Sequence, residues 1–199
     1  MANDFLRVRK GITLTPRSAD PSNPIEGDLQ SSDGTARQQG IWQYRSSQWC
    51  KLGTELKVAY IKDVKTASTN GGTFTSGAWQ KRDLNTTSGD TGIVSISSSQ
   101  FTLQIGVYTI KATAPAFDVS RHMIRLYDTT SSTEYLGTNE YAVSSTLNRS
   151  SVDVKITVTE ASVFEIQHRC QVTVSSNGLG VNNNFASNSI YTQVEITKH

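Results

Sequence analysis

Residues 152–174 read VDVKITVTEASVFEIQHRCQVTV. Val152, Val154, Ile156 and Val158 alternate with Asp153, Lys155, Thr157 and Thr159. That period of two places four branched residues on one face of a strand. Phe164, Ile166, His168, Cys170, Val172 and Val174 then alternate with Glu165, Gln167, Arg169, Gln171 and Thr173, so a second strand follows with its own apolar face. On a helix, at about 100° per residue, these positions would scatter around the axis. Glu160, Ala161 and Ser162 form a short connection, and the two strands are expected to pair antiparallel as a hairpin.

Working outward, the same grammar recurs. Towards the C-terminus, a polar loop covers 175–188, with Gly178, Gly180 and Asn182 to Asn184. Ile190, Thr192, Val194 and Ile196 then make a last strand. Upstream, Glu140 to Val143 is a short strand, and the turn at 128–133 follows a strand marked by His122, Ile124 and Leu126. Phe101, Leu103 and Ile105 share a face. Gly106 breaks the register, and Tyr108, Ile110, Ala112 and Ala114 continue until Pro115 is expected to stop the strand. Ile93 to Ile96 and Val58 to Ile61 are short strands. Residues 73–84 are extended around Trp79, and the polar stretch 86–92 reads as a loop. Eight to ten short strands with no helical period indicate an all-β sandwich, with a jelly roll as its topology. No repeat and no heptad run is present.

The first 53 residues differ in composition. Three of the four prolines, Pro16, Pro21 and Pro24, fall within nine residues and forbid helix or central strand. After a turn at Ser32 to Gly34 comes GIWQYRSSQWCKLG, an aromatic hairpin with Trp42, Tyr44 and Trp49. Phe5 to Lys10 reads as a short strand, and Arg7, Arg9 and Lys10 are the one local basic cluster. The expected organisation is therefore an N-terminal arm and hairpin over 1–53 and a head over 54–199. Candidate attachment residues in the first part are Arg7, Arg9, Pro21, Pro24, Trp42, Tyr44 and Trp49. The plainer reading of the aromatics is a local mini-core, because so short a module has few other apolar groups. In the head, Phe164, Ile166, His168, Cys170 and Val172 form a candidate core or trimer-contact face.

Composition narrows the function. The chain has 199 residues, 18% of them charged, and a formal net charge of +2. That balance argues against a nucleic-acid partner. Ser and Thr make up about a quarter of the chain, which favours strands and turns over helices. No apolar run reaches the roughly 18 residues of a membrane span, and the first residues lack the apolar segment of a signal peptide. A protein made in the cytoplasm without export is expected. Two cysteines 120 residues apart imply no disulfide framework.

Chemistry is sparse. His122 and His168 lie on apolar-patterned strands. His168 and Cys170 share a face, yet no second ligand pair completes a zinc site. Cys170 lacks an activating charge on its own face. Asp83, Asp90 and Asp118 could meet in loops around calcium, though their spacing does not demand it. No phosphate loop, nucleophile elbow or carboxylate pair is present. No enzyme activity, cofactor or metal is expected.

Several phrases carry a resemblance: GTFTSGAWQKRDLNT (72–86), SSQFTLQIGVYTIKATAPAF (98–117), RHMIRLYD (121–128), FEIQHRCQVT (164–173) and YTQVEITKH (191–199). Residues 58–199 resemble the trimeric jelly-roll heads shared by tumour necrosis factor and the globular head of the complement first component. They are most similar to the version common in tailed-phage structural proteins. The N-terminal phrases EGDLQ (26–30) and GIWQYRSSQW (40–49) resemble short adaptor segments of phage virion proteins. The resemblance implies a homotrimer on the outer surface of a virion. Its partner would be the major capsid protein or another virion protein, and its role capsid decoration, or cement. The alternative is the receptor-binding tip or adaptor of a tail fibre, with a host-surface glycan as the further partner.

Overall fold

The structure, a computed structural model, describes residues 14, 16–32, 34–35, 40–45, 47–53 and 56–199. The expected strand at Phe5 to Lys10 lies outside them. The chain divides into two compact units, Met1–Glu55 and Leu56–His199.

The described residues of the first unit form a four-stranded sheet in the order β1-β2-β3-β4. Its strands are β1 (Pro16–Arg17), β2 (Leu29–Ser32), β3 (Gly40–Arg45) and β4 (Gln48–Leu52). Pro16 sits in the two-residue edge strand, where the missing N–H is tolerated. Strands β3 and β4 are the aromatic hairpin, in register from Ile41↔Leu52 to Arg45↔Gln48.

The second unit holds β5 (Lys57–Thr66), β6 (Gln80–Lys81), β7 (Thr86–Gly89), β8 (Val94–Ser97), β9 (Gln100–Leu103), β10 (Gly106–Phe117), β11 (Ser120–Asp128), β12 (Thr133–Leu136), β13 (Glu140–Ala142), β14 (Leu147–Val158), β15 (Ser162–Cys170) and β16 (Asn188–Lys198). A single 3-10 turn, Thr91–Ile93, is the one helical element of this unit. One sheet runs β14-β10-β16-β5-β7. The other runs β12-β11-β15-β9-β8, with β13 also on β11 and β6 on β15. Successive strands repeatedly change sheet, as a jelly roll requires. No helix among the described residues is long and apolar enough to cross a membrane.

The expected hairpin of β14 and β15 does not form. Strand β14 pairs with β10 along its length, from Gly106↔Val158 to Phe117↔Leu147. Strand β15 lies in the other sheet and pairs with β11, for example Leu126↔Ile166. The connection 159–161 is an arch. Three extended residues reach about 10 Å, which is also the usual separation of packed sheets. Its length is therefore compatible with either geometry. What decides is burial: each strand has one apolar face, and facing them across the sandwich buries both.

Other expectations shift for local reasons. Residues 86–89 are a strand, not a loop, paired with β5 from Ala59↔Gly89 to Lys62↔Thr86. Strand β10 runs through Pro115. The Phe117 N–H points away from β14, to the Gly178 carbonyl. Two residues back, the proline nitrogen points the same way, beyond the end of the β10–β16 ladder at Thr113. No ladder bond is lost. A bulge between Ile190 and Gln193 breaks the parity of β16. It leaves Ile190 exposed and buries the adjacent Tyr191 and Thr192. Ile105 falls between β9 and β10 and is 67% exposed.

The core lies between the sheets. Ile61, Tyr108, Ile110 and Ile196 from one sheet meet Phe101, Leu103, Ile124, Leu126, Phe164 and Ile166 from the other. Phe101 and Phe164 stack with centroids 5.6 Å apart. Full burial of one such side chain contributes about 1.5–3 kcal/mol. A second cluster of Phe74, Ala116, Val119, Ala142 and Cys170 closes one end.

The head has two distinct ends. The chain enters beside Lys57, which pairs with Lys198. Residues 129–132 and 159–161 lie at this joint end, next to the Asp128↔Phe164 pair. The far end holds 67–79, 118–119, 143–146 and 171–187, next to the pairs Asn188↔Thr66 and Phe117↔Leu147.

Candidate functional site

In the N-terminal sheet, Arg7 and Arg9 lie outside the described residues. Trp42, Tyr44 and Trp49 share one face, with Tyr44 and Trp49 in register and their rings 5.4 Å apart edge to face. Gln30, opposite Trp42, is buried on that face and donates from Nε2 to the Ala19 carbonyl at 3.1 Å. Pro21, Trp49 and Gln30 border a cavity of about 280 Å³, together with Leu14, Arg17 and Asp28. Pro24 is half-buried. The arm thus folds against the aromatic face. The other face carries Leu29, Ile41 and Leu52, each 39–46% exposed. This aliphatic face was legible: Ile41 and Leu52 oppose each other once the hairpin register is drawn.

In the head, Phe164, Ile166, His168 and Cys170 all point between the sheets and are buried. Val172 lies past the end of β15 and is 47% exposed. The alternation of β15 therefore serves the core. His122 and His168 meet there, Nδ1 to Nε2 at 3.1 Å, and the His168 ring packs on Phe74 at 4.6 Å. Burial, with the nearby Arg82 charge, lowers His122 to about 4 and holds His168 well below the ordinary histidine value. Both rings are neutral near pH 7. Burial pushes the Cys170 thiol up to about 11, the reverse of an activated nucleophile.

Arg82 was not singled out by sequence, yet it is the largest fully buried side chain. Its Nε donates to Thr192 Oγ1 at 2.9 Å, and Nη2 donates to the Leu179 carbonyl at 2.8 Å. Nη1 reaches the Pro115 carbonyl at 3.4 Å. Burial lowers it to about 10, opposed by Asp63 and Asp83. The bulge in β16 is what turns Thr192 inward to meet it. Nothing in the string QKRDLN distinguishes a buried arginine from a surface one.

The three aspartates considered for calcium are spent separately. Asp83 pairs with Lys65 at 2.8 Å, Asp90 accepts the Val58 N–H at 2.8 Å, and Asp118 accepts the Ser145 N–H at 3.4 Å. Among the described residues no group of three His, Cys, Asp or Glu could hold a metal ion.

What the head does offer is a cleft of about 980 Å³ at its far end. Its floor is the outer face of β13-β11-β15. Tyr141, Arg121 and Gln171 form one row across the three strands, with Arg121↔Tyr141 in register and the Gln171 N–H donating to the Arg121 carbonyl. Met123↔Arg169 begins the next row. Ser76 and Gly77 form one wall, and Asn139, Glu140 and Asn148 the other. Ser76 is held by its N–H to Thr173 Oγ1 at 2.9 Å, and Asn148 by Nδ2 to the Tyr141 carbonyl at 2.6 Å. Beyond the cleft, the same face presents Arg125 against the rings of Trp79 and Tyr127, at 4.3 and 4.6 Å. Arg125 also donates to Gln167 at 2.9 Å and to Glu134. The turn at 128–133 lies at the opposite end of the head from the loop 171–187.

No protein-family model matches the chain, and no curated protein matches it in sequence. Among solved structures, the globular domain of zebrafish complement 1qA protein is 13% identical. The alignment covers 73% of this chain and 96% of that one, with a TM-score of 0.43. Two structures of murine APRIL, at pH 8.5 and 8.0, are each 8% identical, covering 73% of this chain and all of theirs, with TM-scores of 0.40. The jelly-roll assignment rests on the strand order itself.

Proposed function

We propose that this chain is a non-enzymatic structural protein of a virus particle. Its jelly-roll head forms a homotrimer, and the N-terminal sheet attaches it to the capsid or another virion protein. The observation that carries this reading is the polarity of the head: the chain enters at one end, and the cleft and the long loop 171–187 occupy the other. The resemblance of the head and the adaptor-like phrases to phage virion proteins supports the particle. The outward face of the sheet β14-β10-β16-β5-β7 supports the trimer. Its central strands carry Thr109, Thr197 and Tyr60, and Lys111 lies in register with Asp153 on one side and Glu195 on the other. The face is polar and of mixed charge, with Lys62, Lys111 and Lys155 beside Asp153 and Glu195.

The cleft favours a second reading, the receptor-binding tip of a tail fibre. Quantitative mass spectrometry of purified particles separates them. Copies in proportion to the coat subunits mean decoration, and a handful per particle means a fibre tip. Absence from particles overturns both.

A further inference from the structure

We infer that the far-end cleft is a binding site for an acidic saccharide, a sugar bearing a carboxylate or sulfate. The inference rests on reading the head as a binding module and names the ligand class of that site.

The starting point is a contrast between arginines on one sheet face. Arg125 is fully used: it stacks between Trp79 and Tyr127 and donates to Gln167 and Glu134. Arg121 is four residues away on the same strand, and Arg169 is on the next. Neither guanidinium has a carboxylate, hydrogen-bond or ring partner among the described residues. They are diagonal neighbours across the β11–β15 ladder, a placement that sets two residues roughly 7–8 Å apart. Two cations so placed repel each other, and a salt bridge to either would relieve this. Two unspent guanidinium forks converging on one cleft instead fit a bound anion, which each can grip in bidentate fashion. His122 lines the cleft but is buried and neutral, so the positive charge there is that of the two arginines.

The surroundings select a sugar. Tyr141 is 55% exposed beside Arg121, giving a flat amphipathic ring for the apolar face of a pyranose. Asn139, Asn148 and Gln171 bring amides that both donate and accept, as vicinal hydroxyls do. Glu140 is a further acceptor for hydroxyl groups. An acidic peptide fits less well. The central floor strand β11 is paired on both sides, with β15 and with β12 and β13, so it offers no edge for strand addition.

The test uses the full chain and calorimetric or NMR titration with four probes. They are a uronic-acid oligosaccharide, its neutral methyl ester, a sulfated counterpart, and an acidic peptide of equal charge. The expected result is saturable binding of the uronate or the sulfated sugar, with the neutral ester at least about tenfold weaker. Arg121→Gln and Arg169→Gln should each weaken binding about tenfold or more, the scale of one lost charge-assisted hydrogen bond. Tyr141→Ala should weaken it with the melting temperature unchanged. Equal binding of the neutral ester, tighter binding of the peptide, full retention by the arginine variants, or no binding of either acidic sugar would each overturn the assignment. These outcomes are independent of particle copy number, so the virion reading stands or falls separately.

Discussion

His122 Nδ1 lies 3.1 Å from His168 Nε2 in the interior of the head, joining the two sheet strands β11 and β15. One ring must donate and the other accept, so at least the accepting ring is neutral, and burial holds the other neutral as well. The remaining ring nitrogens, His122 Nε2 and His168 Nδ1, are buried without a hydrogen-bond partner. A proton on either ring would meet the buried Arg82 charge.

Acid sensitivity follows. Native His122 titrates near 4, against 6.5 for the ordinary group, and His168 is also strongly lowered. Between these values the unfolded chain binds more protons than the native one, so stability is complete above about pH 6.5 and falls as pH drops towards 4. The slope approaches about 1.4 kcal/mol per pH unit for each histidine. Thermal melts should show a loss of several degrees between about pH 7 and pH 5. His122→Asn should melt lower at pH 7 but show a flatter profile. A wild-type melting point constant over that interval would refute the burial of the pair.

Gly178 limits the far-end loop. A Cβ there would lie 2.6 Å from the Val174 carbonyl oxygen and 2.8 Å from Phe74 Cβ. Both neighbours are held, because Phe74 and Val174 exchange backbone hydrogen bonds at 2.9 and 3.0 Å. Gly178→Ala should therefore cost about 1–3 kcal/mol by urea denaturation. An unchanged midpoint would show that the loop base is looser than described.

Ile166 and Ile105 separate interior from edge. Ile166→Asp places a carboxylate among Leu126, Phe164 and their neighbours, and should abolish folding, since an unpaired buried charge costs several kcal/mol. Ile105→Asp, at an exposed position between strands, should stay within about 0.5 kcal/mol of the parent. Soluble expression and circular dichroism distinguish the two. Similar behaviour of both variants would contradict the break in face at Gly106.

These cases show where sequence patterning reaches and where it stops. Alternation identified the inward faces of β14 and β15, but inward residues look the same whether two strands share a sheet or face each other. The partners lie far upstream, in β10 and β11, where periodicity carries no pairing information. Ile190 misled because a single bulge reverses parity. Arg82 was silent because its partners are backbone carbonyls and one threonine, none marked by residue type. The cleft was invisible for a related reason: Arg121, Tyr141 and Arg169 come together only through the β13-β11-β15 ladder. The aromatic hairpin of the first unit was legible, since strand, turn and return fall within 13 residues.

Sedimentation equilibrium of the full chain at micromolar concentration bears most directly on the proposed homotrimeric head. A single species of three times the 21.8 kDa chain mass is the expected result. Thr109→Arg, in the middle of the outward face of β10, should lower that mass while leaving the circular dichroism of the sandwich intact. A parent chain that sediments as one 21.8 kDa species would contradict the trimer.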